Sequence, residues 1–118
     1  MSIQTYIIRP EHLNHGGNLF GGQMLLWADE VAFITATLAF PHCEFVTKAL
    51  EATDFKTPAA NGHIVEVRGE IIGTGVTSCN VLVSARNLTV HEDVFSTHFI
   101  MVNVIDGRKQ PIGNARTP

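Results

Sequence analysis

Two features of the 118-residue sequence bring together groups able to do chemistry. The first is the pair Asp29 and Glu30, set within GGQMLLWADEVAFITATLAF, where apolar residues stand on nearly every side. Read at 3.6 residues per turn, Asp29 shares a stripe with Gly22, Leu25, Leu26, Ala32, Phe33 and Ala36. Glu30 falls with Gln23 and Thr37, the nearest this segment has to a polar side. A carboxylate among apolar neighbours is costly unless paired, hydrogen-bonded or protonated, and such settings also suit acid–base catalysis. The pattern leaves two readings of Asp29 open: a general base, or a structural carboxylate bonded to a backbone amide or a neighbouring chain.

The second feature is the loop Asn14-His15-Gly16-Gly17-Asn18-Leu19-Phe20-Gly21-Gly22 that leads into the same segment. The first amides of a helix are unpaired and carry partial positive charge, and glycines there let a carbonyl oxygen approach closely. Such a turn can serve as an oxyanion hole. It can equally be a packing device, with Gly21 and Gly22 seating the helix and Asn14 capping a turn. Eight residues separate Gly21 from Asp29, about 12 Å of helical rise, whereas groups serving one carbonyl must lie within about 3 Å of its atoms. One chain cannot easily supply both. Two helices running antiparallel across a two-fold axis would bring the glycine end of one to the Asp of the other.

Other chemistry is poorly represented. The sequence has no G-x-S-x-G, Walker A, C-x-x-C or H-E-x-x-H motif. His12, His15, His42, His63, His91 and His98 lack chelating spacing, so no metal is expected. Cys43 follows His42 directly, but adjacent side chains point apart, and Cys43 and Cys79 make no disulfide framework.

These groups need elements to hold them. Residues 3–9 resemble a strand stopped by Pro10, and an apolar helix from Phe20 ends at Pro41. The period then changes to two, with strands expected at about residues 45–55, 63–73, 77–88 and 93–105 and an irregular tail from Asp106. Val65, Val67 and Ile71 alternating with Glu66, Arg68 and Glu70 are the clearest case. This predicts one α+β domain over residues 1–118, a four-strand antiparallel meander with one extra strand, curled around one long central helix. Residues 19–40 are of roughly membrane-spanning length, but Asp29 and Glu30 at their centre argue for a buried helix in a soluble protein.

Composition adds a demand for partners. Hydrophobic residues make up 45% and charged residues 16%, against roughly 25% charged in an ordinary domain, so part of the surface is expected to be an interface. The net charge of −3 with scattered Lys and Arg gives no footprint for nucleic acid. The N-terminus MSIQTYIIRP lacks the features of a signal peptide, which makes the cytoplasm the expected compartment.

With these residues in place, HLNHGGNLFGGQMLLWADEVAFITA resembles the hotdog-fold acyl-CoA thioesterases, particularly the cytosolic acyl-CoA hydrolase group. The resemblance extends through FVTKALEATDFKTPAANGH, GTGVTSCNVLV and DGRKQPIG, covering most of residues 5–113. It implies a hotdog fold, a homodimer at minimum and a tetramer or hexamer of such dimers, with the active site at the dimer interface. It further implies acyl-CoA as substrate, no cofactor, a catalytic role for Asn14, Asp29 as general base or nucleophile, and oxyanion donation by the Gly21 and Gly22 amides. Thr47 matches more loosely a Ser or Thr that orients the water, and Thr77 and Ser78 match a loop near coenzyme A. Phe20 stands where many relatives have His. Phe20 and Phe55 are substrate-contact candidates, Leu26, Phe33 and Phe55 could limit an acyl tunnel, and Lys48, Lys56 and Arg86 are candidates for the phosphates. Thioester chemistry suits so small a set, because the thiolate, with a pKa near 8.5, leaves without strong acid assistance. The competing expectations are a non-catalytic acyl-CoA-binding module and, less favoured, a dehydratase or isomerase, whose members use a His that this helix lacks.

Overall fold

The computed structural model describes residues 1–113. Strand β1 (Ser2–Ile7) leads through a single 3-10 turn at Pro10–His12 into helix α1 (Gly21–Ala39). Four long strands follow, β2 (Phe45–Phe55), β3 (Ile64–Thr74), β4 (Ser78–Asn87) and β5 (Glu92–Ile105), then the two-residue β6 (Arg108–Lys109). All pairings are antiparallel, in the order β1-β3-β4-β5-β2, with β6 against the end of β5.

Two expectations need correction. The strands after the helix do not form a four-strand meander: only β3, β4 and β5 do, while β2 lies beyond β5 at the sheet edge and β1 takes the place beside β3. A period-two pattern records which face a strand buries but not which strand lies next to it. The segment after Asp106 is also not irregular throughout. It pairs as β6, and the Ile112 N–H then donates to the Val76 carbonyl at 2.9 Å while His42 Nε2 meets the Ile112 carbonyl at 2.5 Å. Buried Asn103 fastens this return, its Nδ2 donating to the Pro111 carbonyl and its Oδ1 accepting from the Glu44 N–H. Residues 114–118 of the expected tail lie outside the described residues.

The sheet wraps α1. Val65 and Val67 of β3, Val81 and Val83 of β4, and Phe95, Phe99 and Met101 of β5 point inward, as period-two alternation requires. They meet Met24, Trp27, Ala28, Val31, Ala32 and Ala36 on the helix. The contact is close because of one glycine: a Cβ on Gly69 would run into Thr35 Oγ1 and come within 3.0 Å of Val31 Cγ1. Thr35 can face the core there because its hydroxyl donates to the Val31 carbonyl at 2.7 Å. An isolated glycine in a strand signals this sort of backbone approach. The ring of Tyr6 stacks on Trp27 with centroids 4.4 Å apart, and the Tyr6 hydroxyl donates to Glu30 Oε1, pinning the helix to β1.

The opposite helix face stays open. Leu26 is 59% exposed, Phe33 48% and Leu38 66%, and Asp29 and Glu30 are exposed with them. No helix is long and apolar enough to cross a membrane among the described residues.

Two outcomes follow from this packing. Gly69→Ala should destabilise the fold by about 1–3 kcal/mol through overpacking, read from urea unfolding by Trp27 fluorescence; an unchanged midpoint would mean the helix is not seated on Gly69. Tyr6, the single tyrosine, has its pKa pushed from 10.0 to about 12 by burial and by the Glu30 charge. A folded pKa above the unfolded one means that this contribution to stability is complete below pH 10 and is lost as pH rises through 12. Ultraviolet titration should therefore show a single phenolate transition near 12, and a midpoint at 10 would contradict the buried, Glu30-bonded hydroxyl.

Candidate active site

The turn before α1 is held by Asn14. Its Oδ1 accepts from the Gly16 N–H at 2.9 Å and the Asn18 N–H at 3.1 Å, while its own N–H donates to the Asn18 carbonyl at 2.7 Å. Gly17, at φ 83°, sits in the left-handed region this tight turn requires. Oδ1 is thus consumed by the loop, and Asn14 Nδ2 donates to no group among the described residues. The loop ends where the Phe20 N–H bonds the His12 carbonyl and the Phe20 carbonyl accepts from Gln23 and Met24. The Gly21 and Gly22 N–H groups then meet no carbonyl among the described residues, as the first turn of a helix dictates.

Two phenyl rings flank these amides. A Cβ on Gly22 would come within 2.7 Å of the Phe20 ring, and one on Gly21 within 3.5 Å of the Phe55 ring. Phe55 reaches this point because β2 bends: its pairing with β5 shifts between Glu51 and Asp54, with Ala52 at φ 51°. Thr97 steadies the bulge, donating to the Glu51 carbonyl at 3.1 Å and bonding Thr53 Oγ1 at 2.9 Å. The Phe55 ring packs on buried Phe95 at 4.9 Å. A depression of about 200 Å³ opens here, with Gly21, Phe55, Lys56 and Thr57 on its walls.

Two turns along the helix, the Thr47 hydroxyl donates to Asp29 Oδ1 at 2.5 Å, with Met101 Sδ on its other side at 3.5 Å. This bond aims the carboxylate and leaves Oδ2 free among the described residues. Beside it lies a second depression of about 320 Å³, lined by Leu25, Leu26, Asp29, Thr47, Leu50 and Phe99. A carboxylate at an apolar rim, held by a single hydroxyl, is placed to accept a proton from water.

Within one chain the candidate residues therefore form two groups: Asn14, Phe20, Gly21, Gly22 and Phe55 at the helix start, and Asp29 with Thr47 further along. Thr77 and Ser78 join neither group. They sit two strands from Thr47 at the same end of the sheet, where the Thr77 carbonyl accepts from the Asn103 N–H and Ser78 pairs with Val102, which in turn faces Val46 of β2. Arg86 is also elsewhere, committed to Asp93 at 2.8 Å and to the His91 carbonyl. Leu50 and Phe99 escaped the sequence reading, because an apolar residue in a strand has no signature separating core from pocket. Burial raises Cys43, and burial together with the Cys43 charge pushes Cys79 to about 11, so both thiols stay protonated near neutrality.

A one-helix hotdog sheet with a carboxylate on the helix and free amides at its start defines a class. Residues 16–93 match the thioesterase superfamily, and the chain belongs to that family. YkhA of Bacillus subtilis, an uncharacterised acyl-CoA thioester hydrolase, is 25% identical over 115 residues, which cover 93% of this chain and 65% of that protein. The chain thus spans slightly less than two thirds of that relative's length. A crystallised apo-hexameric acyl-CoA thioesterase is 33% identical, with a TM-score of 0.83 over 99% of this chain and 77% of its own. The hexameric hotdog fold thioesterase of Campylobacter jejuni is 28% identical, with a TM-score of 0.82 over 93% of this chain and 88% of its own.

The loop geometry predicts that Asn14→Ala, which removes two hydrogen bonds, should cost about 1–2 kcal/mol and speed amide exchange at Gly16 and Asn18. Asn14→Asp, which keeps the acceptor, should leave exchange slow. Equal exchange in the two variants would mean that Oδ1 does not organise the turn.

Proposed function

We propose that this chain is an acyl-CoA thioesterase, working as at least a homodimer. The observation that carries this reading is the Thr47 hydroxyl bonded to the Asp29 carboxylate at the rim of an apolar depression. Water held by Asp29 attacks the thioester carbonyl, and Asp29 takes the proton as the new C–O bond forms. The oxyanion is received by the Gly21 and Gly22 amides, with Asn14 Nδ2 as a further donor. The C–S bond then breaks, and the coenzyme A thiolate leaves and recovers the proton from Asp29. Preorganised amides and a positioned base are each worth roughly 10²–10³-fold or more in such a site.

Two supports favour a second copy of the chain. The amides and Asp29 are separated along α1 by about 12 Å, too far to serve one carbonyl. Strand β2, 11 residues long with only Phe45 buried, is an open sheet edge beside exposed Leu26 and Phe33. Antiparallel pairing of two β2 edges covers both and brings each glycine turn toward the other chain's Asp29. The related thioesterases are hexamers, and assembly of three such dimers is the form proposed here. A cytoplasmic location goes with this reading, since it is the acyl-CoA hydrolases of the cytosol that the motifs resemble.

Two experiments test the proposal. Asp29→Ala should lower thiol release from acyl-CoA by at least 10²-fold while light scattering still reports the oligomer. Acyl-CoA bound tightly by the wild type without thiol release would favour the non-catalytic module instead. Mixing Asp29→Ala with Asn14→Asp chains after unfolding and refolding should restore about one quarter of wild-type activity if each site draws on two chains. No recovery would place each site within one chain.

A further inference from the structure

We infer that the acyl group of the substrate occupies the blind depression beside Asp29, and that this chain therefore prefers short to medium acyl chains; the inference rests on the thioesterase reading. The thioester carbonyl bears two groups, an alkyl chain and a thiol arm containing amides and, further out, phosphates. The two depressions differ in the same sense. That beside Asp29 is walled by Leu25, Leu26 and Leu50, and its polar groups are Thr47, already committed as a donor, and a carboxylate that repels phosphate. Buried amides of the thiol arm would go unpaired there, which is costly. The depression at Gly21 has Lys56, whose ammonium has no acidic partner among the described residues, and Thr57. Charge and hydrogen bonding send the thiol arm toward Lys56 and leave the alkyl chain to the leucines.

The leucine-lined depression has a floor. Phe99 lies at its base, 1% exposed and built into the core, so the chain cannot extend past it into the sheet. Its volume of about 320 Å³ is at the lower end of ligand sites, roughly 300–1,000 Å³. At about 30 Å³ per heavy atom, the share a water takes in the liquid, it holds on the order of ten atoms. Leu50, on the edge strand and 39% exposed, is the wall most easily changed without disturbing the core.

A thiol-release series of straight-chain acyl-CoAs from two to sixteen carbons tests the assignment. For the wild type, kcat/KM should rise by up to about fourfold per added methylene, the value of burying one, and stop rising at or before about ten carbons. Leu50→Trp should move that break at least two carbons shorter and lower the octanoyl-to-acetyl ratio at least tenfold. Leu50→Ala should move it longer. A wild-type rise continuing to sixteen carbons, or a break that stays put in both Leu50 variants, overturns the inference while leaving the thioesterase reading standing. A wild type that cleaves no member of the series overturns the thioesterase reading itself.

Discussion

A helix of 19 residues that is apolar on nearly every side can be covered by one curved sheet along only one of its faces. The rest of the molecule is arranged around that imbalance. The covered face is dominated by Ala28, Ala32, Thr35 and Ala36, small enough for the sheet to close on it, and Gly69 removes the one side chain that would hold β3 away. The uncovered face carries Leu26, Phe33 and Asp29, and it lies beside β2, one of the two edge strands of the sheet. Apolar surface and free backbone groups are thus left uncovered in the same place, which is the face the proposed dimer would use.

The same imbalance accounts for the position of the chemistry. On the covered face Asp29 would sit among buried valines with no partner for its charge. On the open face it accepts the Thr47 hydroxyl and still borders an apolar depression floored by the core residue Phe99. The helix start is built differently. Asn14 spends its side-chain oxygen on the loop, which keeps the Gly21 and Gly22 amides clear, and the bulge at Ala52 swings Phe55 in beside them. The left-handed conformation of a non-glycine residue costs about 1–2 kcal/mol, and the Thr97 and Thr53 hydrogen bonds at the bulge help to offset it.

Much of this is legible in the sequence. The helix between Phe20 and Pro41, the strand over 45–55, and the Asn-Gly turn ahead of the helix are matters of local periodicity and local spacing, which the chain writes out residue by residue. The exposed Leu26, Phe33 and Leu38 also had a counterpart in the sequence, in a charged fraction of 16% that leaves too few polar residues to coat the surface. Thr77 and Ser78 were assigned from motif position and Arg86 from its charge alone; Arg86 is committed to Asp93, and Ser78 lies two strands from the start of β2 that carries Thr47.

By itself, then, the sequence determined the elements, the apolar helix and the identity of its one apolar-flanked carboxylate, because periods of 3.6 and 2 are properties of short segments. Only the tertiary structure decided that β2 crosses to the far edge beside β5, that Thr47 faces Asp29 across 18 residues, and that Phe99, 70 positions beyond Asp29, closes the pocket beneath it. Strand order and register depend on which distant backbone groups pair, and a strand's alternation reads the same whichever neighbour it has.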